Sequence, residues 1–493
     1  MASRSLPDNL ELLLKLHRGA RRSLQHQLLE QLGHILLQGH VAAGQRLPST
    51  RTLARALGIS RNIVEAVYDE LVVEGYMVRR HGSGTYVAHD LAALPRKPFQ
   101  TAPAPPQETL PTPQPAHDDS APMQAVLPMG PGMPDTAAMP SSVWRAIWRD
   151  VASQSLPSYF GSPSGDLEFR TALAQYLGRA RHVFCTAEDI VVTSGALQAL
   201  NLLAQAMLKP GDPVGFEEPG YLMARQALLG QGLRILPIPV DEDGLKVDAL
   251  PRGPEAPPLV YVTPSHQYPL GGRLSIARRM ALLGWASENG RIIVEDDYDS
   301  EFRFDAPPLP ALAGLDHAGR VVYIGTFSKI FMPSLRVGYL VTSNVELRQH
   351  IEHIRWLTDL HAAWPSQRAL LSFIAGGHMD RHVLRMRRLY ARKRALLNEI
   401  LAPLAPIARL RGMEAGLHAY LELSEGLDSS DIAARLYERG VIVVPIDNFY
   451  FGKPDRTGLV LGYGALSMQD LARGVSILKE VIELRAAEFV KRR

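Results

Sequence analysis

Cysteine is nearly missing from this chain: Cys185 stands alone among 493 residues. One thiol cannot build a disulfide framework or a zinc site of several thiolates; it fits a reducing compartment, so the cytoplasm is the expected location. Cys185 itself reads as inert packing rather than a redox sensor. Long apolar runs are missing too, and none reaches the roughly 18 to 20 residues of a membrane span. The opening stretch MASRSLPDNLELLLKLHRGARRS scatters charge through its apolar residues, unlike the unbroken apolar core of a secretory signal. A surplus of one charge is also lacking. The formal net charge of +3 carries no case for nucleic-acid binding, which has to come from local geometry. No fixed-period repeat is visible, which excludes solenoids and propellers.

What is present is enough apolar material, 46% of the residues, to exceed a single core at this length, so at least two folded units are expected. The sharpest change of composition is LAALPRKPFQTAPAPPQETLPTPQPAHDDSAPM, rich in proline and without periodicity. It predicts a semi-stiff linker over residues 90–124, between a unit at 1–89 and one at 125–493. In the larger unit, apolar strand-like runs alternate with helical periods, which predicts an α/β domain with a mostly parallel sheet.

In the first unit, Leu24, Leu28, Leu32, Ile35 and Leu36 fall at helical spacing between Ser23 and Gln38. A second helix is predicted after Pro48, capped by Ser49, with Leu53, Ala54 and Leu57 inward and a stop at Gly58. Only Ile59 separates it from Ser60, the cap of a third helix whose inward face is Ile63, Val64, Val67 and Leu71. So tight a joint between short helices predicts a helix-turn-helix. Its second helix would bring Ser60, Arg61 and Asn62 to a major groove, where arginine and asparagine suit guanine and adenine. From Gly75 to Val87 the chain then reads strand, glycine-rich turn, strand: a wing whose tip can approach phosphates closely. The alternative is a small helical docking module with a solvated basic hairpin.

In the second unit four segments carry chemistry. VVYIGTFSKIFMPSLRVGYL sets Lys329 directly after an apolar strand and seven residues before Arg336. RIIVEDDYDSEFR ends another apolar strand, and Asp296 shares a strand face with Tyr298 while Asp297 points the other way; a one-residue error in register would exchange the two aspartates. DIVVTSGALQAL turns from a strand through Ser194, Gly195, Ala196 and Leu197 into a helix, whose free N–H groups suit an anion. EEPGYLMAR offers Tyr221 as a ring to stack on a flat ligand. Each feature alone is ordinary. Together, with TPSHQYPLGG between them, they supply what a pyridoxal 5′-phosphate (PLP) site needs: a lysine for the Schiff base, a carboxylate for the pyridine nitrogen, phosphate donors and a hydroxyl near the ring.

Both units resemble known families. LPSTRTLARALGISRNIVEAVYDELVVEGYMVRRHGSGTYV looks like the GntR-family winged helix, and the resemblance implies DNA contacts at Arg51, Arg61, His81 and Gly82. Ser328-Lys329 with Arg336 seven on resembles fold-type I PLP enzymes over residues 125 to 485. That resemblance implies a lysine-bound PLP, a phosphate gripped by Arg336 with Thr326 and Ser328, and Asp296 rather than Asp297 at the ring nitrogen. A winged helix, a long linker and such a domain, in that order, resemble the MocR family of regulators, whose members sense γ-aminobutyrate, taurine, D-alanine or PLP itself. PSHQYP and EDDYDSEFR are phrased as in that family. The family implies a homodimer, domain-swapped head to tail, on double-stranded DNA with repeated half-sites, and an effector that is PLP or a small amine.

Three positions depart from the relatives. Glu65 stands where some carry a basic residue on the recognition helix. Tyr268 precedes Pro269 where aminotransferases usually have Asn before the proline, so an amide contact to the ring oxygen is lost. Val460 stands where many aminotransferases hold the substrate carboxylate with arginine, and valine offers no fork. Ordinary transamination is therefore disfavoured, and either Arg225 serves a different ligand or PLP alone is the signal, as in a regulator of vitamin B6 synthesis. The alternative is a working aminotransferase with an accessory DNA-binding domain. The basic stretch from Arg381 to Arg388 reads as a solvated helix face.

Overall fold

The computed structural model describes residues 13–20, 22–93, 126–304 and 310–492; the predicted linker, from residue 94 on, lies outside them. The chain divides into two compact units, Met1–Ser120 and Ala121–Arg493.

In the smaller unit the side-chain caps set the helix boundaries. Helix α1 (Leu24–Leu37) starts where the Ser23 hydroxyl accepts from His26 N–H. Helix α2 (Thr50–Leu57) is capped by Ser49 and stopped by Gly58, whose left-handed φ of 63° suits glycine. Helix α3 (Arg61–Val73) begins at Ser60, whose hydroxyl accepts from Ile63 N–H. The predicted inward residues Leu28, Leu32, Leu53, Val64, Val67 and Leu71 are buried together. Ile63 is only half-buried. Tyr68 fills the core beside Val64 and Val67 instead, its hydroxyl donating to the Pro48 carbonyl at 3.0 Å. Strands β1 (Met77–Arg80) and β2 (Gly84–Val87) pair antiparallel around Gly82, at φ 68°.

The larger unit begins with β3 (Leu127–Pro128) and then builds an eight-stranded sheet. Its strands are β4 (Ile190–Thr193), β5 (Pro213–Glu218), β6 (Arg234–Asp241), β7 (Gly244–Leu245), β8 (Leu259–Val262), β9 (Ile292–Asp297), β10 (Val321–Thr326) and β11 (Gly338–Val341), in the spatial order β4-β11-β10-β9-β8-β5-β6-β7. The run from β10 through β9, β8 and β5 to β6 is parallel, and β11 is antiparallel to both of its neighbours. Every residue of β4, β8, β9 and β10 is buried, as parallel strands covered on both faces require. A second sheet, from β12 (Ala408–Arg411), β13 (His418–Leu423), β15 (Val444–Pro445) and β16 (Gly458–Gly462), is antiparallel. β14 (Val441–Ile442) pairs separately and in parallel with β3. No helix among the described residues is long and apolar enough to cross a membrane.

In an open parallel sheet, ligand sites gather outside the carboxyl ends of the strands. Those ends carry Thr193 on β4, Asp296 and Asp297 on β9, and Thr326 on β10, followed by Lys329.

Candidate cofactor site and nucleic-acid interface

The Lys329 amine donates to the Gly132 carbonyl at 2.7 Å. Gly132 has φ 83°, and a β-carbon there would come within 2.9 Å of the amine, so the approach depends on glycine. Burial lowers the basicity of Lys329, while Asp299 and Asp296 work against that shift. A desolvated lysine of this kind keeps a larger share of its amine neutral, hence nucleophilic.

The two adjacent aspartates separate as the strand alternation predicts. Asp297 takes Arg181 Nε at 2.6 Å and the Tyr323 hydroxyl at 2.6 Å on the same oxygen, in a fully enclosed ion pair. Asp296 accepts one bond, from the Tyr261 hydroxyl, and its Oδ1 is buried without a partner. Desolvation pushes its pKa up to about 6. An enclosed carboxylate with one oxygen free is an acceptor that the N–H of a protonated ring nitrogen would satisfy.

The anion cup forms where β4 meets the helix Ala196–Met207. Gly195 has φ 135°, and the Arg336 guanidinium would lie 3.3 Å from a β-carbon there. At Gly338 a β-carbon would meet the Gly195 backbone at 2.7 Å, so glycine is required where β11 passes the cup. Thr326 Oγ1 lies 3.0 Å from Ser328 Oγ and accepts from Ser328 N–H at 3.1 Å. Arg336 is exposed. It has no carboxylate partner among the described residues.

Around this site stands an aromatic wall. Tyr268 meets Tyr221, Tyr298, His418 and Phe449 edge-on, with ring centroids 5.1 to 5.6 Å apart. Tyr298 donates to the His266 carbonyl at 2.9 Å. Burial pushes the Tyr221 hydroxyl up to about 12, the Asp296 charge adding to the shift and Arg336 opposing it. Val460 is fully buried beside Tyr420, Ile446 and Phe449. Arg225 is committed to the Phe449 carbonyl at 3.1 Å and to Glu218 at 3.8 Å.

Sequence reading missed Gly132, Tyr261 and the buried group His266, Asp299 and His418. His266 and Asp299 lay within quoted motifs, but nothing local marked them as partners of a histidine on β13. The Arg381–Arg388 stretch proves more structural than a solvated face: His382 is buried, bonding the Ile330 carbonyl at 2.8 Å, and Arg385 reaches the Ala138 carbonyl at 2.9 Å. Cys185 is half-buried, its thiol pushed up to about 12 by desolvation, as expected of inert packing.

In the smaller unit, Arg51, Ser60, Arg61, Asn62, His81 and Gly82 are all exposed. Glu65 points back along α3, with a carboxylate oxygen 3.6 Å from Arg61 Nε. On the wing, Arg80 covers the Tyr86 ring at 4.8 Å and Arg79 pairs with Asp69.

A winged helix-turn-helix and an aminotransferase-type α/β domain on one chain define a DNA-binding regulator with an enzyme-like effector domain. Residues 24–87 match "Bacterial regulatory proteins, gntR family", and residues 126–475 match "Aminotransferase class I and II", a PLP-dependent family. The chain is 34% identical to the probable rhizopine catabolism regulatory protein MocR of Rhizobium meliloti, over 95% of both chains. It is also 34% identical to the HTH-type pyridoxine biosynthesis transcriptional regulator PdxR of Corynebacterium glutamicum, covering 94% of this chain and 96% of that one. Among solved structures it resembles a Pyrococcus horikoshii kynurenine aminotransferase in complex with PMP, at TM-score 0.67 and 28% identity, over 73% of this chain and 91% of that one. The chain belongs to the MocR-type family of HTH transcriptional regulators.

Proposed function

We propose that this chain is a homodimeric regulator that holds PLP on Lys329 and converts its occupancy, or its reaction with a small amine, into a change of DNA binding. The observation that carries the reading is the pair formed by a desolvated Lys329 amine and a buried Asp296 oxygen without a partner, at the ends of adjacent strands. When bound, pyridoxal supplies a carbonyl that takes up primary amines covalently. The residues around it have separate tasks. Asp296 favours a protonated ring nitrogen. Arg336, Thr326, Ser328 and the N–H groups of Gly195, Ala196 and Leu197 would hold the phosphate, joined by that of Ser194 once it leaves the Gln198 side chain, to which it donates at 2.7 Å. Tyr221 would stack on the ring, and Tyr298 and Tyr268 would offer hydroxyls near its oxygen.

PLP itself is the effector we favour, with genes of vitamin B6 synthesis as the target. Val460 and the committed Arg225 leave no free cation for an amino-acid carboxylate at those two positions. The relative named for pyridoxine biosynthesis regulation adds support, at an identity equal to that of the rhizopine relative. The second reading, an aminotransferase with an accessory DNA-binding domain, draws on the lysine, the aspartate and the phosphate cup all being present, against the departures at Tyr268 and Val460.

On DNA, Ser60, Arg61 and Asn62 approach base edges while Arg51, His81 and Gly82 approach phosphates, and a dimer would read half-sites separated by multiples of about 34 Å. Regulation requires PLP to bind one arrangement of the dimer more tightly than another. The test is a paired titration of absorbance and operator binding, with PLP first and then a panel of amines. A visible band that appears together with a changed operator affinity is the expected result. A band with no change in DNA binding, accompanied by steady turnover of amino donors, would establish the enzyme instead.

A further inference from the structure

We propose that His266, Asp299 and His418 form a buried binding site for one divalent transition-metal ion of the zinc and cobalt class. This goes beyond the cofactor reading and does not depend on it. One ligand atom from each residue lies within 4.8 Å of the other two, and the three side chains are almost wholly enclosed.

Three features favour a metal over a plain ion pair. First, His266 Nε2 faces the Gly412 carbonyl at 3.2 Å, the outer contact that orients a ligating imidazole. With its proton on Nε2 the neutral ring turns the Nδ1 lone pair to Asp299 Oδ2 at 3.0 Å and Oδ1 at 3.2 Å, leaving a place for a metal ion; in the doubly protonated ring the same contacts are an ion pair, so a metal ion has to displace that proton. The Tyr298 hydroxyl, 3.1 Å from the same Nδ1, already donates to the His266 carbonyl. Second, His418 is buried with no side-chain partner for either ring nitrogen and only a loose contact to the Pro269 carbonyl, and its ring centroid is 4.7 Å from that of His266. A buried polar group left unbonded calls for a missing water or ion. Third, Gly416, at φ 81°, lets the backbone pass so close to Asp299 and the His266 ring that any β-carbon there would overlap both, which holds these two side chains together.

Two imidazoles and a carboxylate are a common zinc set, with metal–ligand bonds of about 2.0 to 2.2 Å, and they leave a fourth position for water or a small ligand. A tetrahedral shell would require the three donors, now within 4.8 Å of one another, to close to about 3.4 Å.

The test uses the untagged full-length protein with its PLP retained, stripped of metal by a chelator and titrated with Co2+. One equivalent should bind with the visible absorption of a tetrahedral cobalt site, and Zn2+ should displace it. His418→Ala and Asp299→Asn should each weaken binding by about 100-fold or more. Absence of a stoichiometric site in the wild-type protein would overturn the proposal, whether or not the variants fold. So would a cobalt spectrum unchanged in a folded His418→Ala protein. The cofactor band is read separately, so failure here is distinguishable from failure of the cofactor reading.

Discussion

Replacing Asp297 by Asn and, separately, Asp296 by Asn should break two different things. Asp297 is the counter-charge of Arg181, and the side chains of this pair are 1% and 2% exposed. Its loss strands a buried guanidinium, which costs about 3 to 5 kcal/mol. At roughly 2 °C per kcal/mol for a unit of this size, Tm should fall by about 6 to 10 °C with or without cofactor. Asp296 has no such partner, and burial lifts its pKa from 3.8 to about 6. A carboxyl raised in the folded state contributes stability that is complete below pH 4 and lost as pH climbs through about 6. Asn removes that loss and still accepts from Tyr261. The cofactor-free Asp296→Asn protein should therefore match the wild type near pH 4 and equal or exceed it above pH 6, by up to about 3 kcal/mol. Its deficit should appear in PLP binding, because a charge-assisted bond to the ring nitrogen is worth about 1.5 to 3 kcal/mol, or roughly 10- to 100-fold in affinity. Thermal melts from pH 4 to 8.5 with and without PLP, beside an absorbance titration, read all of this. Should Asp297→Asn lose PLP while keeping its Tm, and Asp296→Asn do the reverse, the assignment is wrong by one residue.

Lys329→Ala should lose the visible cofactor band, and retention of that band would exclude Lys329 as the attachment point. Arg61→Ala should weaken operator binding by about 1 to 3 kcal/mol without bleaching the protein, which a footprint and a spectrum check together. Glu65→Gln should free Arg61 from its 3.6 Å contact and tighten DNA binding about twofold, as the small worth of an exposed pair allows; weaker binding in a salt series would give Glu65 a direct role. Arg336→Gln should raise the PLP concentration needed for half-occupancy by about 10-fold or more, and an unchanged titration would remove Arg336 from the phosphate cup.

The legible parts of this molecule were those encoded over a few residues. Ser49, Gly58 and Ser60 mark helix ends through contacts within three or four positions, and the strand period of two divided Asp296 from Asp297. Partnerships between elements were less legible. Tyr261 reaches Asp296 from the neighbouring parallel strand, in a register where it stands opposite Val294, and parallel register has no short turn to announce it. Gly132 and His418 come to the site from segments far along the chain on either side of Lys329. Tyr68 can be buried because its hydroxyl donates to the Pro48 carbonyl, 20 residues away, a partner no local pattern marks.

The other buried acids of the large unit, set beside Asp296, support the proposal that it faces a ligand. Desolvation raises Glu217, Glu295 and Glu301 each to about 7. Glu295 is nonetheless satisfied by the N–H groups of Leu312 and Ala313, both at 2.9 Å, and Glu217 by the N–H and hydroxyl of Thr263. Glu301 accepts from Tyr176 at 3.3 Å. Asp297 leaves one oxygen unbonded, yet Arg181 balances its charge. Asp296 has an unbonded oxygen and no arginine, and the cation whose field reaches it, Lys329, is itself discouraged by burial from staying charged. A buried acid oxygen without a partner, near an amine that burial discourages from charging, is a local violation of polar satisfaction of the kind a bound ligand removes. The molecule that removes this one has to carry a group reactive toward an amine at one end, a protonatable nitrogen at the other, and an anion for the cup at Gly195.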